Sequence, residues 1–297
     1  DSYKGAKLKY VPLFHANGIQ STLYDICSML SVWHGYDTVV VLGISGCIFL
    51  PLFRLLYHKR LVVNIDGLEH RRAKWNGFTK SFLRFSEKMA VNKRIQDYVM
   101  ETYHKDSALI AYGGDHVLRD VPVERQKEIL AQYGLTEKQY AVSVCRIEPE
   151  NNCHVTLEAF SKTGKQLVFI GNWERSHYGK ELKLRFAAYP NIQLLDAVYD
   201  LDILYTLRNH ARWYIHGHSA GGTNPSLVEA MFFGCPILAY DVVYNRETTL
   251  NSAYYYKDSE ELVALLCKDD LDGEEMLVIA EQHYTWKHIA EQYEALY

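Results

Sequence analysis

Between His216 and Pro236 the chain reads His216-Gly-His218-Ser-Ala-Gly221-Gly222-Thr223-Asn224-Pro225-Ser226-Leu-Val-Glu229-Ala-Met-Phe-Phe-Gly234-Cys-Pro236, an order of residue types suited to a phosphorylated ligand. Gly221 and Gly222 let the backbone come close to a ligand. Thr223, Asn224, Pro225 and Ser226 suit a helix start, where unpaired N–H groups and the helix dipole attract phosphate. Glu229 stands about one turn into that helix, where its carboxylate can accept hydrogen bonds from ribose hydroxyls while a pyrophosphate lies on the amides. Gly234-Cys-Pro236 ends the helix and enters the next strand. A capped turn that binds nothing would need less than this combination of two glycines, a polar cap and a glutamate.

A second candidate is Arg146, at the end of the apolar run Ala141 to Cys145. A guanidinium there can fork onto two phosphate oxygens and stabilise the charge that builds on a leaving group; the alternative is an ion pair with Glu148 or Glu150. Asp66 follows the run Leu61 to Ile65 and reads either as a group facing a ligand or as the first residue of an Asp-Gly turn. Glu69, Arg71, Arg72, Lys74 and Trp75 follow it, a group able to hold an acceptor bearing a phosphate or lipid, or else an ordinary solvated face. Asp200-Leu-Asp202 has the look of a metal-binding pair, but it precedes a helical segment, Ile203 to Arg208, where aspartates cap and favour the dipole. No metal is expected. Tyr199 reads as packing near a nucleobase or as a surface tyrosine, and Trp286 as packing.

These residues need a scaffold, and 297 residues, 48% of them hydrophobic, suffice for two compact domains. A formal charge of -4 argues against a general nucleic-acid binder. Six cysteines, at 27, 47, 145, 153, 235 and 267, show neither a C-x-x-C pair nor regular spacing and read as reduced, mostly buried thiols. The longest apolar run, Thr38 to Phe53, is shorter than a membrane span and is broken by Gly43, Gly46 and Pro51. With no export signal visible, a cytoplasmic location is expected.

Along the chain, β-branched runs alternate with amphipathic segments, which points to parallel strands with crossover helices. In the first half, strands are expected at Leu8 to Leu13, Thr38 to Leu42, Leu61 to Ile65 and Leu109 to Ala111, with helices from about Gly18 to Trp33 and near Phe49 to Tyr57. The polar stretch Asp115 to Gln139 separates this unit from a second one with strands at Ala141 to Cys145, Leu167 to Ile170, Ile192 to Leu195, Trp213 to His216 and Pro236 to Ala239. The expected division is an N-terminal domain over 1–119, a C-terminal domain over 120–283 and a returning helix over 284–297. The first unit lacks an opening strand with a glycine-rich turn, and two helices run together near Asn92 to Arg94. Either residues are missing from the sequence at its start and near 92–94, or one long kinked helix runs through.

The His216 to Met231 stretch resembles the retaining family-four GT-B glycosyltransferases, and most closely their bacterial rhamnosyltransferase-like branch. Further motifs similar to that branch are Val62-Val-Asn-Ile-Asp66-Gly-Leu-Glu69-x-x-Arg72-Ala-Lys-Trp75, Ile110-Ala-Tyr-Gly-Gly-Asp115, Arg146-Ile-Glu-Pro-Glu-Asn-Asn152, Ile170-Gly171-Asn172-Trp173 and Tyr244-Asn-Arg-Glu247, so the resemblance covers nearly the whole chain. It implies an α/β GT-B fold, two Rossmann-like domains facing a central cleft with a C-terminal helix crossing back to the first. It implies Asp66, Arg146 and Glu229 as the catalytic group, and a donor site of Asn152, Gly171, Asn172, Tyr199, His218, Gly221, Gly222, Thr223, Asn224 and Ser226. Glu69, Arg71, Arg72 and Trp75 then face the acceptor.

Two positions depart from the wider family: Gly221 replaces a glutamate eight residues before the ribose-binding one, and Asn151 replaces a lysine after Arg146. The resemblance also implies a metal-independent transfer that retains anomeric configuration and needs no cofactor beyond the donor. That donor is dTDP-rhamnose, with UDP- or GDP-sugars as alternatives. The acceptor is a saccharide or lipid-linked oligosaccharide for capsule or O-antigen synthesis, with peripheral membrane contact and no nucleic-acid partner. Rival readings are a non-catalytic sugar-binding subunit, a GT-B nucleotide-sugar epimerase and a phosphorylase, the last lacking a lysine near Gly221. A nicotinamide oxidoreductase is disfavoured because the late glycine-rich turn lacks G-x-G-x-x-G spacing.

Overall fold

A computed structural model describes residues 2–3, 5–12, 19–32, 35–42, 47–56, 60–64, 108, 110–220 and 222–296. The chain divides into two compact units, one of residues 1–109 with 294–297 and the other of residues 110–293. In the first, β1 (Ser2–Tyr3) and β2 (Ala6–Lys7) form an antiparallel pair. A helix covers Ile19–Ser31. The strands β3 (Thr38–Leu42) and β4 (Arg60–Asn64) are parallel, in register from Thr38 opposite Arg60 to Leu42 opposite Asn64. A 3-10 turn, Cys47–Phe49, and a helix, Leu50–Leu56, lie between them in sequence. This is a strand–helix–strand unit, and its buried side chains, Val39, Val41, Cys47, Leu50 and Phe53, come from the first strand, the turn and the helix.

Two strand expectations in this half fail. Residues 8–12 form no strand; Pro12 lacks the N–H a ladder needs, and Tyr10 is 71% exposed with no apolar face to cover. Residues 110 and 111 are not a strand either, and Ala111 packs instead against the core of the second unit. The expectations placed on 65–107 lie outside the described residues.

The second unit is built on six parallel strands: β5 (Tyr140–Val144), β6 (Gln166–Ile170), β7 (Ile192–Leu195), β8 (Trp213–His216), β9 (Ile237–Tyr240) and β10 (Tyr254–Tyr256). Across the sheet their order is β7-β6-β5-β8-β9-β10. The chain therefore starts at the centre, builds outward to β7, returns to β8 beside β5 and builds outward the other way. Parallel strands need crossovers on the sheet faces, so central strands are buried on both sides and read as continuous apolar runs; β5 and β8 do. Alternate residues feed opposite faces. Tyr140, Val142, Val168 and Tyr214 enter one core with Leu227, Met231 and Ile279. Ala141, Leu167, Phe169 and Trp213 enter the other with Leu157, Phe186 and Leu262.

Side chains on the preceding loops start several helices. Ser176 Oγ accepts from Gly179 N at 3.0 Å, and Asp258 Oδ1 from Glu261 N at 2.8 Å. Asp200 Oδ1 accepts from Asp202 N and Ile203 N at 2.9 and 3.2 Å, the capping role expected of it, while Asp202 pairs with Arg119. The strand Tyr254–Tyr256 was not expected. Three tyrosines beside polar residues give no alternation, although aromatic residues favour strands.

Trp173 ties the sheet to its covering layer: it is fully buried, its ring meets Phe169 edge-on at 5.1 Å, and Nε1 donates to Leu195 O at 3.0 Å. Trp173→Ala is expected to cost about 3–5 kcal/mol in urea denaturation. Trp173→Phe keeps most of the packing and is expected to cost about 0.5–1.5 kcal/mol through the lost indole hydrogen bond, since Gly171 N still donates to Leu195 O at 3.0 Å.

Candidate functional site

In an open sheet of this order the chain leaves the carboxyl ends of β5 and β8 toward opposite edges, and ligands bind in the crevice beyond those ends. The two strands pair only from Ala141 opposite Trp213 to Val142 opposite Tyr214. Beyond that, side chains take over: Ser143 Oγ donates to Ile215 O at 3.0 Å and Tyr214 Oη to Val144 O at 3.3 Å.

The loops that follow are joined across the gap. Asn152, in the left-handed region at φ 47°, donates from Nδ2 to Gly217 O at 2.9 Å. Ser219 donates from N and Oγ to Glu150 O at 2.9 and 2.8 Å. Asn151 is 4% exposed and donates from Nδ2 to Arg146 O at 2.6 Å. Its Oδ1 must then accept from His218 Nδ1, 2.7 Å away, which puts a proton on that ring nitrogen. At the position where the wider family is expected to carry a lysine, this chain has a strut that fixes the Arg146 backbone and the His218 ring at once. Gly217 completes the joint, since a Cβ there would lie 2.2 Å from Asn151 O.

A cavity of about 360 Å³ opens at the carboxyl ends of β5, β6 and β7. Arg146, Gly171, Asn172 and Tyr199, all expected in the site, line it together, and Arg175 and Glu148 join them. Neither the Glu148 nor the Glu150 ion pair considered for Arg146 forms, and among the described residues Arg146 makes no salt bridge. Gly171 admits no side chain, because a Cβ would lie 2.4 Å from Ile147 Cδ1. Tyr199 is 86% exposed at the rim. For Cys145, also in the wall, its hydrogen bond with Cys153 and its burial hold the thiol well above the ordinary range.

The other expected donor residues do not line this cavity. Asn152 is committed to Gly217, and His218 is buried under Asn151 with its own carbonyl accepting from Asn245 Nδ2 at 2.9 Å. Gly222, Thr223, Asn224 and Ser226 lie on the β8 side, half-buried. Asn224 caps the Pro225–Met231 helix, its Oδ1 accepting from Ser226 N and Oγ at 3.0 and 2.8 Å. Glu229 is on that helix, paired with the buried Arg208 at 2.7 Å. Asp66, Glu69, Arg71, Arg72, Trp75 and Gly221 lie outside the described residues. Sequence reasoning missed Arg175 and Arg208. Arg208 lies four residues after Leu204 on the inward face of its helix, and a charged residue on an apolar stripe was the available signal.

His216, at the end of β8, is 2% exposed and its Nε2 has no partner among the described residues. Burial, with His218 adding to it, pushes its pKa down to about 3. The unfolded chain takes up the proton near the ordinary 6.5 and the folded one only near 3, so stability falls as pH drops through that window. Urea denaturation at pH 7 and pH 5 is expected to differ by about 2 kcal/mol from this residue, and His216→Phe to flatten the profile. Gly217→Ala is expected to cost about 1–3 kcal/mol, because the Asn151 backbone must move.

Residues 125–268 match the family model described as glycosyl transferases group 1, and residues 36–115 match a domain of unknown function, DUF1972. No curated protein matches the chain. Among solved structures, sucrose-phosphate synthase from Thermosynechococcus elongatus superposes with a TM-score of 0.77 at 15% identity, over 98% of this chain and 82% of that one. Anabaena Alr3699/HepE in complex with UDP-glucose gives 0.73 at 14%, over 92% and 82%. A putative UDP-N-acetylglucosamine 2-epimerase from Listeria monocytogenes gives 0.61 at 13%, over 96% and 81%. The chain has an α/β fold with parallel sheets that matches solved GT-B glycosyltransferase structures, and its residues 125–268 match the glycosyl transferases group 1 model.

Proposed function

We propose that this chain is a glycosyltransferase that takes a sugar from a nucleoside diphosphate donor and passes it to a saccharide acceptor. The observation that carries the reading is the cavity beside the β5/β8 gap, with the unpaired Arg146 guanidinium in its wall and the capped Pro225–Met231 helix following β8. Arg146 suits the diphosphate: it forks onto phosphate oxygens and stabilises the charge that grows as the glycosidic bond breaks. The Gly222 to Asn224 backbone suits the same phosphates, and Glu229 accepts from ribose hydroxyls. Asn172 and Tyr199, at the far wall, suit a nucleobase.

The finer reading is a retaining transfer without metal, in which the acceptor hydroxyl attacks from the face the diphosphate leaves and the departing phosphate oxygen takes its proton. Here the protein positions the reactants and stabilises charge. Sequence resemblance favours dTDP-rhamnose as donor and a lipid-linked oligosaccharide as acceptor, with cell-surface polysaccharide as product, Asp66 near the reacting sugar and Glu69, Arg71, Arg72 and Trp75 on the acceptor. The solved structures of Anabaena Alr3699/HepE in complex with UDP and with UDP-glucose favour a uridine donor. In either case the nucleobase is a pyrimidine. Among the described residues no helix is long and apolar enough to cross a membrane, and an acceptor with a lipid anchor would be met at a membrane surface.

A panel of nucleoside diphosphate sugars, each assayed for thermal stabilisation and slow hydrolysis, tests the proposal. One donor is expected to stabilise the protein, Arg146→Ala to slow its turnover by about 10²–10³-fold, and Glu229→Ala to weaken its binding by about 10–100-fold. A folded preparation that responds to no nucleotide sugar defeats the reading, and conversion of the donor into an epimer without an acceptor replaces it with an epimerase.

A further inference from the structure

Protein groups grip the Glu229 carboxylate from two sides. On one, Arg208 of the Leu201–Asn209 helix donates from Nη2 to Glu229 Oε2 at 2.7 Å, and Arg208 itself is 5% exposed. On the other, His116 Nε2 lies 3.5 Å from Glu229 Oε1. The imidazole is oriented in turn, since Trp286 Nε1 lies 3.0 Å from His116 Nδ1. An indole N–H only donates, so Nδ1 accepts, and the proton of the neutral ring sits on Nε2, the atom facing the carboxylate. The indole is fixed as well: Trp286 N donates to Asp115 Oδ1 at 2.8 Å, and the ring fills the space a side chain at Gly113 would need. Residues 113–116, 208 and 286 thus converge on one side chain, of which 19% remains exposed.

We propose that Arg208 and His116 are positioning residues for the donor. Each faces a different carboxylate oxygen, which fixes the rotamer of Glu229 and leaves its remaining lone pairs for the hydroxyls of the nucleoside sugar. Arg208 makes the stronger contact, charged, short and buried. His116, half-exposed, sets the second oxygen, and Trp286 sets His116. The inference rests on the ribose-binding reading of Glu229.

The test measures how far each protein prefers a nucleoside diphosphate over its counterpart lacking sugar hydroxyls, by calorimetric titration of UDP against 2′,3′-dideoxyuridine diphosphate and of dTDP against its 3′-deoxy form. Wild type is expected to prefer the hydroxylated ligand of one pair by about tenfold or more. Arg208→Met is expected to bring that preference to within about twofold with the affinity for the deoxy ligand unchanged, Arg208→Lys to keep part of it, and His116→Ala and Trp286→Phe each to reduce it by a smaller factor. Should Arg208→Met not fold, His116→Ala, at a half-exposed position, carries the test. If the variants keep the wild-type preference, the pairs only stabilise the fold and the proposal falls. If wild type binds neither ligand, or prefers neither pair member, Glu229 has no ribose role and the proposal falls with it.

Discussion

The second unit depends on how β5 and β8 part. They share two opposed residue pairs at one end, Ala141 with Trp213 and Val142 with Tyr214, and then diverge because their chains leave for opposite edges of the sheet. The backbone groups freed by that divergence are buried and cannot be left to water. Ser143 and Tyr214 satisfy some of them from within the strands, and Asn151, Asn152 and Ser219 continue the series in the loops. The same topology that opens a crevice therefore requires polar side chains along its walls, and these walls are where a phosphorylated ligand would be met.

Such a series is costly to assemble from the wrong residue types. An apolar substitute at Asn151 takes away the acceptor facing His218 Nδ1 and one of the two donors to Arg146 O, the other being Glu148 N, in a buried setting. A lysine at the same place has donors only and could not accept from the imidazole. Asparagine, with both a donor and an acceptor, meets both needs. Arg146 and Arg175 are the guanidinium groups among the residues lining the cavity.

Most of the second sheet was legible from sequence because buried parallel strands announce themselves as short apolar runs. Tyr140 to Val144, Gln166 to Ile170 and Trp213 to His216 fall within a residue of their expected limits. Tyr254–Tyr256 escaped because its signal is aromatic rather than apolar, and residues 8–12 misled because an apolar stretch ending in proline resembles a strand that has no ladder to join. Arg146 was read from its place at a strand end, Gly171 and Asn172 were implied by the family resemblance and Tyr199 was read from its place before Asp200; all four line the cavity. What sequence could not supply were the cross-chain partnerships. Asn151 with His218, 67 residues apart, and Glu229 with Arg208, 21 apart, depend on which elements the topology sets side by side.

Gly217 and Asn151 have a consequence for the thermodynamics of binding. Their joint and the bonds around it link protein to protein and need no ligand in order to form. Immobilising a flexible side chain on association costs about 0.5–1.5 kcal/mol; for Asn151, Asn152 and His218 that loss of entropy falls on folding instead. A ligand that binds beside these loops then meets side chains already ordered.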